Sequence, residues 1–309
     1  VITFLAEVGQ RVADRWFNAL VLPGVLWLAT LVAGTVLGQP HALAVDRLRS
    51  WADRVAAGPG AHSPAVALLL AAALLAVSAA AGLAAGVLGA GAQRLWALAG
   101  VHRPLRWAAD ARRRRWDRAD VRLRRAVARA AFPAAHSLDP AVAAARLRET
   151  ERRRAAQGAR RPERPSWIGD RLALCEGRAR SNHGLELADA WPRLWPLLPD
   201  ALRSDLAAAG AAYGSAARLF GWSALYLPVA VVWWPAAVVA AVVALCAWQR
   251  ARAAAAALTA LLDTAVDLHL RTLARQLGIP DSSPGPGPEV MRVLRAGSLP
   301  PPPGVGHVP

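Results

Sequence analysis

Residues 64–92 read PAVALLLAAALLAVSAAAGLAAGVLGAGA and carry no charge. At about 1.5 Å of rise per residue, about 20 apolar residues in helical form cross a hydrocarbon core about 30 Å thick. A helix on a soluble domain shows a polar stripe along one face, and this stretch shows none. Two further runs are equally free of charge, Ala19 to Gly38 and Leu219 to Trp248. Their pattern predicts an all-α integral membrane helical protein.

The rest of the composition fits that reading. The chain is 55% hydrophobic, with a mean hydropathy of +0.27, yet its net charge is +16. All 37 basic residues are arginine, which with the abundant alanine marks a compositional bias rather than 37 separate demands for guanidinium. Between Arg94 and Arg218, 26 arginines stand against 13 acidic residues, so most of the charge lies between the second and third runs. Cys175 and Cys246 are far apart and form no C-x-x-C pair, which argues against a disulfide framework or a zinc site.

Arginine placement sets the expected orientation, because basic residues near span ends favour the cytoplasmic side. The link 39–63 holds only Arg47, Arg49 and Arg54, whereas Arg94, Arg103, Arg106 and Arg112 to Arg115 follow the second run. The expected order is a cytosolic N-terminus (1–18), span 1 (19–38), an external loop (39–63), span 2 (64–92) and an Arg-rich cytosolic helical domain (93–216). A membrane hairpin or one long span (217–249), a cytosolic amphipathic helix (250–279) and a disordered Pro/Gly tail (280–309) complete it. A competing reading takes the first run as a signal peptide cut near Ala42-Leu43-Ala44, although that run exceeds the usual length. In the third run Pro228 and Pro235 bracket Val229 to Trp234, and Trp233-Trp234-Pro235 reads as an interfacial turn. Arg218 before the run and Arg250 after it both prefer the inside, which favours a hairpin and four membrane segments.

Within the second run Ser78, Gly82, Gly86 and Ala90 recur every four residues, a small-residue stripe that admits a close helix. In the external loop Val45, Leu48, Trp51, Ala52 and Val55 share a helical face, which suits a helix lying flat on a membrane surface. In the basic domain Arg103 to Ala131 reads as a helix nearly encircled by arginine. Asp139-Pro140 then opens a second basic helix, with Asp139 as N-cap.

The stretch 165–200 is the least generic. It reads Pro-Ser-Trp-Ile-Gly-Asp-Arg-Leu (165–172), Asn-His-Gly-Leu-Glu-Leu (182–187) and Trp-Pro-Arg-Leu-Trp-Pro-Leu-Leu-Pro-Asp (191–200). Its tryptophans and leucines suit either a small core or a docking face. This order of motifs, with the later Val-Asp-Leu-His-Leu-Arg (266–271), resembles uncharacterised multi-span membrane proteins of high-GC actinobacteria. The chain departs from their pattern at Asp170, where asparagine is usual, and at His183, where tyrosine is usual. The resemblance implies a bacterial plasma membrane location and no catalytic role. Candidate interaction residues are Trp167, Asp170, Arg171, Trp191, Arg193, Trp195, Asp267 and Arg271. The last two belong to an amphipathic helix, 258–277, in which Asp263, Asp267, Arg271 and Arg275 form an i,i+4 ladder.

Catalytic signals are few. The seven histidines never pair at metal-ligand spacing, and no G-x-S-x-G, P-loop or G-x-G-x-x-G occurs. No charge lies inside a span, which removes the usual mark of an ion pathway. No catalytic, cofactor or metal residue is therefore expected. The expected role is a non-enzymatic membrane scaffold presenting a basic helical domain; the alternative is a subunit of a small transporter or channel. Its partners are anionic lipid headgroups, a cytosolic protein or a second copy of the chain. Nucleic acid is disfavoured because no base-stacking platform accompanies the charge.

Overall fold

The computed structural model describes residues 22–58, 64–98, 103–132, 139–158, 160–280, 282–283 and 285–296. The N-terminal segment, including Ala19 to Val21 of the first run, lies outside them. The described residues are all-helical. The α-helices are α1 (Leu22–Leu37), α2 (Val45–Ala56), α3 (Pro64–Ala97), α4 (Arg103–Ala131), α5 (Pro140–Ala155), α6 (Trp167–His183), α7 (Leu187–Leu194), α8 (Asp200–Val232), α9 (Pro235–Gln276) and α10 (Pro286–Ala296). A 3-10 turn, Trp195–Leu197, separates α7 from α8.

Helices α3, α8 and α9, of 34, 33 and 42 residues, are long and apolar enough to cross a membrane. Helix α1 is apolar and has 16 described residues, covering about 24 Å. The chain divides into two compact units, one of residues 1–93 with 212–251 and the other of 94–211 with 252–309.

In the first unit, small residues set the spacing between helices. A Cβ on Gly24 of α1 would lie 2.6 Å from the Ser78 carbonyl oxygen of α3. A Cβ on Gly89 of α3 would lie 2.8 Å from the Ala217 oxygen of α8, and one on Gly221 would overlap the Ala85 oxygen. Ala81, Ala85 and Trp222 form a buried cluster flanked by Trp27 and Leu225. The Trp27 indole N–H donates to the Leu225 carbonyl at 2.8 Å.

The stripe expected at every fourth residue is used within the chain only in its first half. Ser78 and Gly82 are buried, but Gly86 is half-exposed with nothing near its missing Cβ, and Ala90 is exposed. Four residues turn an α-helix by about 400°, so an i+4 row drifts about 40° at each step and leaves the contact face within three steps. The row that packs instead passes through Ser78, Ala81, Ala85, Gly89 and Ala92, in steps of three, four, four and three.

The third apolar run is two helices. Only Trp233 and Trp234 separate α8 from α9, and Pro235 stands at the first position of α9, where its missing N–H costs nothing. Pro228, expected to help break the run, lies inside α8. Membrane helices tolerate such a proline because neighbouring groups satisfy the freed carbonyl. The corner is pinned from the α1–α2 link. The Gln39 amide donates to the Ala230 and Val231 carbonyls at 3.1 and 2.8 Å and accepts from Trp234 N–H at 3.1 Å. The Trp233 indole donates to the Ala42 carbonyl at 2.9 Å. Helix α2 buries none of its residues.

In the second unit, the core gathers Leu185, Leu194 and Leu198 with Val266, Leu270 and Leu273 of α9. Two left-handed glycines end its helices. Gly184 (φ +63°) closes α6, with Leu185 N–H reaching the Ala179 carbonyl, and Gly278 (φ +76°) follows α9. The disorder expected from Pro280 onward is overturned for residues 286–296, which form α10. Its Val290 and Met291 are buried in the same core, with Leu294 packed against it. The surrounding proline and glycine obscure that apolar face in the sequence, because they resemble a linker until a packing partner is known.

Candidate functional site

The Pro-Ser-Trp-Ile-Gly-Asp-Arg-Leu motif opens α6, and each of its polar groups ties that helix to a neighbour. Ser166 is the N-cap: its hydroxyl oxygen accepts from Gly169 N–H at 2.7 Å and its proton goes to the Trp96 carbonyl at 2.5 Å, at the end of α3. Arg164 donates to the next carbonyl, Ala97, at 2.7 Å. A cationic side chain on the last carbonyls of a helix suits the negative end of its dipole. Gly169 is required by close approach, since a Cβ there would stand 2.5 Å from the Trp96 oxygen.

Asp170 is saturated. Its Oδ1 accepts from the Glu163 and Arg164 amides at 2.9 and 2.7 Å, and its Oδ2 takes Arg112 of α4 at 2.6 Å. Arg171 donates to Thr259 Oγ1 of α9 at 3.1 Å, and the Arg252 guanidinium lies 4.5 Å from the Trp167 ring centre. Trp167, Asp170 and Arg171 thus meet at one junction and line a cleft of about 590 Å³ beside Arg154 and Arg160.

The other sequence candidates lie elsewhere. Trp191 and Trp195 pack on the second unit's core with ring centres 5.7 Å apart. Arg193 is exposed and donates to the Asp189 carbonyl at 3.2 Å. The carboxylates read as a ladder along α9 turn to α6: Asp263 pairs with Arg178, and Asp267 lies 2.8 Å from His183 Nε2. Arg271, one turn on, is exposed. Asp170 and His183 both have polar partners, although the chain departs at both positions from the pattern it resembles. Cys175 is buried, and burial together with the neighbouring Asp263 pushes its thiol up to about 12. Among the described residues no three His, Cys, Asp or Glu side chains form a metal-binding group.

The arginines divide by partnership. In the first half of α4, Arg112 and Arg113 hold the 162–170 loop, and Arg161 grips Asp117 through two bonds of 3.0 and 2.9 Å. Arg161 thereby holds the Asp117 carboxyl below its ordinary range. The Arg154 guanidinium sits 4.4 Å from the Trp116 ring centre. Further along, the guanidinium groups of Arg122, Arg125 and Arg129 of α4 and Arg146 of α5 have no ion-pair or hydrogen-bond partner among the described residues. They line a cleft of about 980 Å³ between α4 and α5, over Ala119, Ala126 and Ala143. Its one carboxylate among the described lining residues, Glu149, is already engaged. Arg153 bonds it at 2.6 Å, Arg152 approaches to 3.0 Å, and Arg153 holds it below the usual carboxylate range.

Sequence reasoning saw arginine encircling α4 and missed this alignment. The signal was there: Arg122, Arg125 and Arg129 are three and four apart, and Ala119 and Ala126 fall on the same side.

Comparison with protein-family models, with curated proteins and with solved structures gives no match to this chain.

Proposed function

We propose that this protein is a non-enzymatic, membrane-anchored scaffold of a bacterial plasma membrane, with both termini cytosolic, that presents the α4–α5 hairpin to an anionic partner. The observation that carries the reading is the gathering of Arg122, Arg125, Arg129 and Arg146, whose guanidinium groups have no partner among the described residues, along one cleft. A guanidinium with no partner in the chain is available for a ligand. Arg112 and Arg113 brace the start of α4 against the 162–170 loop, and the cleft gathers free charge further along. Anionic headgroups add to retention at the membrane face by about 1 kcal/mol per basic residue near the surface. Helix α2, with Val45 and Val55 exposed, suits the opposite surface. The alternative, a subunit of a small transporter or channel, draws on the corner at Trp233–Trp234 alone and stands second.

Two measurements test the proposal. In cells, a membrane-impermeant maleimide is expected to label Ser50→Cys and to label Arg114→Cys only after permeabilisation; the reverse pattern places the hairpin on the wrong side. A photo-crosslinker at Ala145 is then expected to capture a partner that is lost in R125E/R146E. Persistence of the same product in that variant removes the hairpin as the presenting surface.

A further inference from the structure

We infer that the cleft between α4 and α5 is the docking site for an acidic amphipathic helix of a different protein. The inference rests on the hairpin being the presented surface and adds the chemistry of what it holds.

Three features select that occupant. The first is the repeat. Arg122 and Arg129 are seven residues apart on α4, as are Arg146 and Arg153 on α5, where Arg153 is shared with Glu149. Seven residues are about two helical turns, or about 10.5 Å, so both rims repeat in register with a helix carrying carboxylates at i and i+7. Arg125 fills the position between on α4.

The second feature is the floor. Ala119 and Ala126 also recur seven apart, and Ala143 is buried opposite. Residues this small let a third helix approach to about 8–10 Å between axes. An amphipathic helix covers the apolar floor with its own apolar side chains while its carboxylates reach the rims. Phosphates of a bilayer lie in a plane and meet only the rims of a concave surface, leaving the floor in water.

The third feature is the charge of the chain itself. None of its described helices is net acidic, and the carboxylates Asp263 and Asp267 of α9 are already engaged with Arg178 and His183. The described helices of a second copy therefore do not supply the occupant.

The test uses the full chain in nanodiscs of zwitterionic phosphatidylcholine. The probe is a fluorescent helical peptide of about 18 residues with glutamates at i and i+7 and leucines between them, read by anisotropy at about 0.15 M salt. Saturable binding is expected, weakened about tenfold or more by R125E/R146E, a loss of about 1.4 kcal/mol. Ala145→Trp, which fills the cleft without touching charge, is expected to weaken it as much. R114E/R118E, outside the cleft, is expected to change it less than about twofold.

Equal weakening by R114E/R118E, or equal binding of a peptide with glutamine in place of leucine, overturns the inference in favour of general charge attraction. So does an absence of peptide binding combined with cleft-dependent flotation on vesicles containing phosphatidylglycerol, which assigns the arginines to lipid. The in-cell crosslink at Ala145 separates the two levels. If R125E/R146E abolishes it while the peptide does not bind, only the acidic-helix assignment is overturned. If the crosslink persists in R125E/R146E, the scaffold reading falls as well.

Discussion

The hydroxyl of Ser166 donates to the carbonyl of Trp96 and accepts from the amide of Gly169, so one side chain closes α3 and opens α6. Ser166→Ala strands a carbonyl and an amide together. The expected cost is about 1–2 kcal/mol, read as a lower midpoint of thermal unfolding in detergent. Gly169→Ala forces its methyl against the Trp96 oxygen and is expected to cost more than the serine change. A Gly169→Ala protein as stable as the parent would show that α6 does not approach α3 so closely.

Asp170 separates charge from hydrogen bonding. Asp170→Asn keeps an oxygen for the Glu163 and Arg164 amides but removes the ion pair with the mostly buried Arg112, at about 1–2 kcal/mol. Asp170→Ala loses both and leaves the guanidinium uncompensated, at about 3 kcal/mol. Equal destabilisation by the two variants would mean that the loop amides contribute nothing.

Helix α3 offers a contrast between adjacent positions. Gly89→Leu is expected to prevent the close contact with Ala217 and unfold the first unit or halt its assembly, whereas Ala90→Leu, on an exposed face, is expected to leave stability within about 0.5 kcal/mol. Gly86→Ala, with open space beside it, should gain up to about 1 kcal/mol from helix propensity. Retention in the membrane and resistance to thermal aggregation report all three.

The Cys175 thiol is held protonated up to about 12 against an ordinary 9.0, so the folded state favours the neutral form. Its contribution to stability is complete below pH 9 and is lost as the pH rises through 12. With Cys246→Ala as background, maleimide labelling at neutral pH is expected only after denaturation. A labelling rate that rises around the ordinary thiol value in the folded protein would place Cys175 in contact with solvent.

Helix type and the position of the apolar runs were legible because both follow from one-dimensional patterns: uncharged length for α3 and the N-cap Asp139 for α5. Tertiary partners were not. An i+4 row looked continuous in α3 until its angular drift met a partner on one side only. The contact of Asp267 with His183 was not visible along α9, because it depends on which helix lies across from it. Trp191 and Trp195 suited a core or a docking face equally, because both draw on the same residues, and only the leucines of α9 distinguish them. The cleft arginines were visible singly; which ones lack partners depends on where Asp117, Asp120 and Glu149 fall.

The indole of Trp27 waits for a carbonyl 198 positions later in the chain, and the Gln39 amide for one 192 positions later. At about 5–20 residues per second, a ribosome needs about 10–40 s to supply them. Through that interval the Trp27 indole and the Gln39 amide lack those partners, so for this protein the synthesis of α1 and its packing are separate events in time. A cell that holds the early helices at the insertion site makes the protein; one that releases them at once exposes α1 and α3 to whatever other helices the bilayer contains.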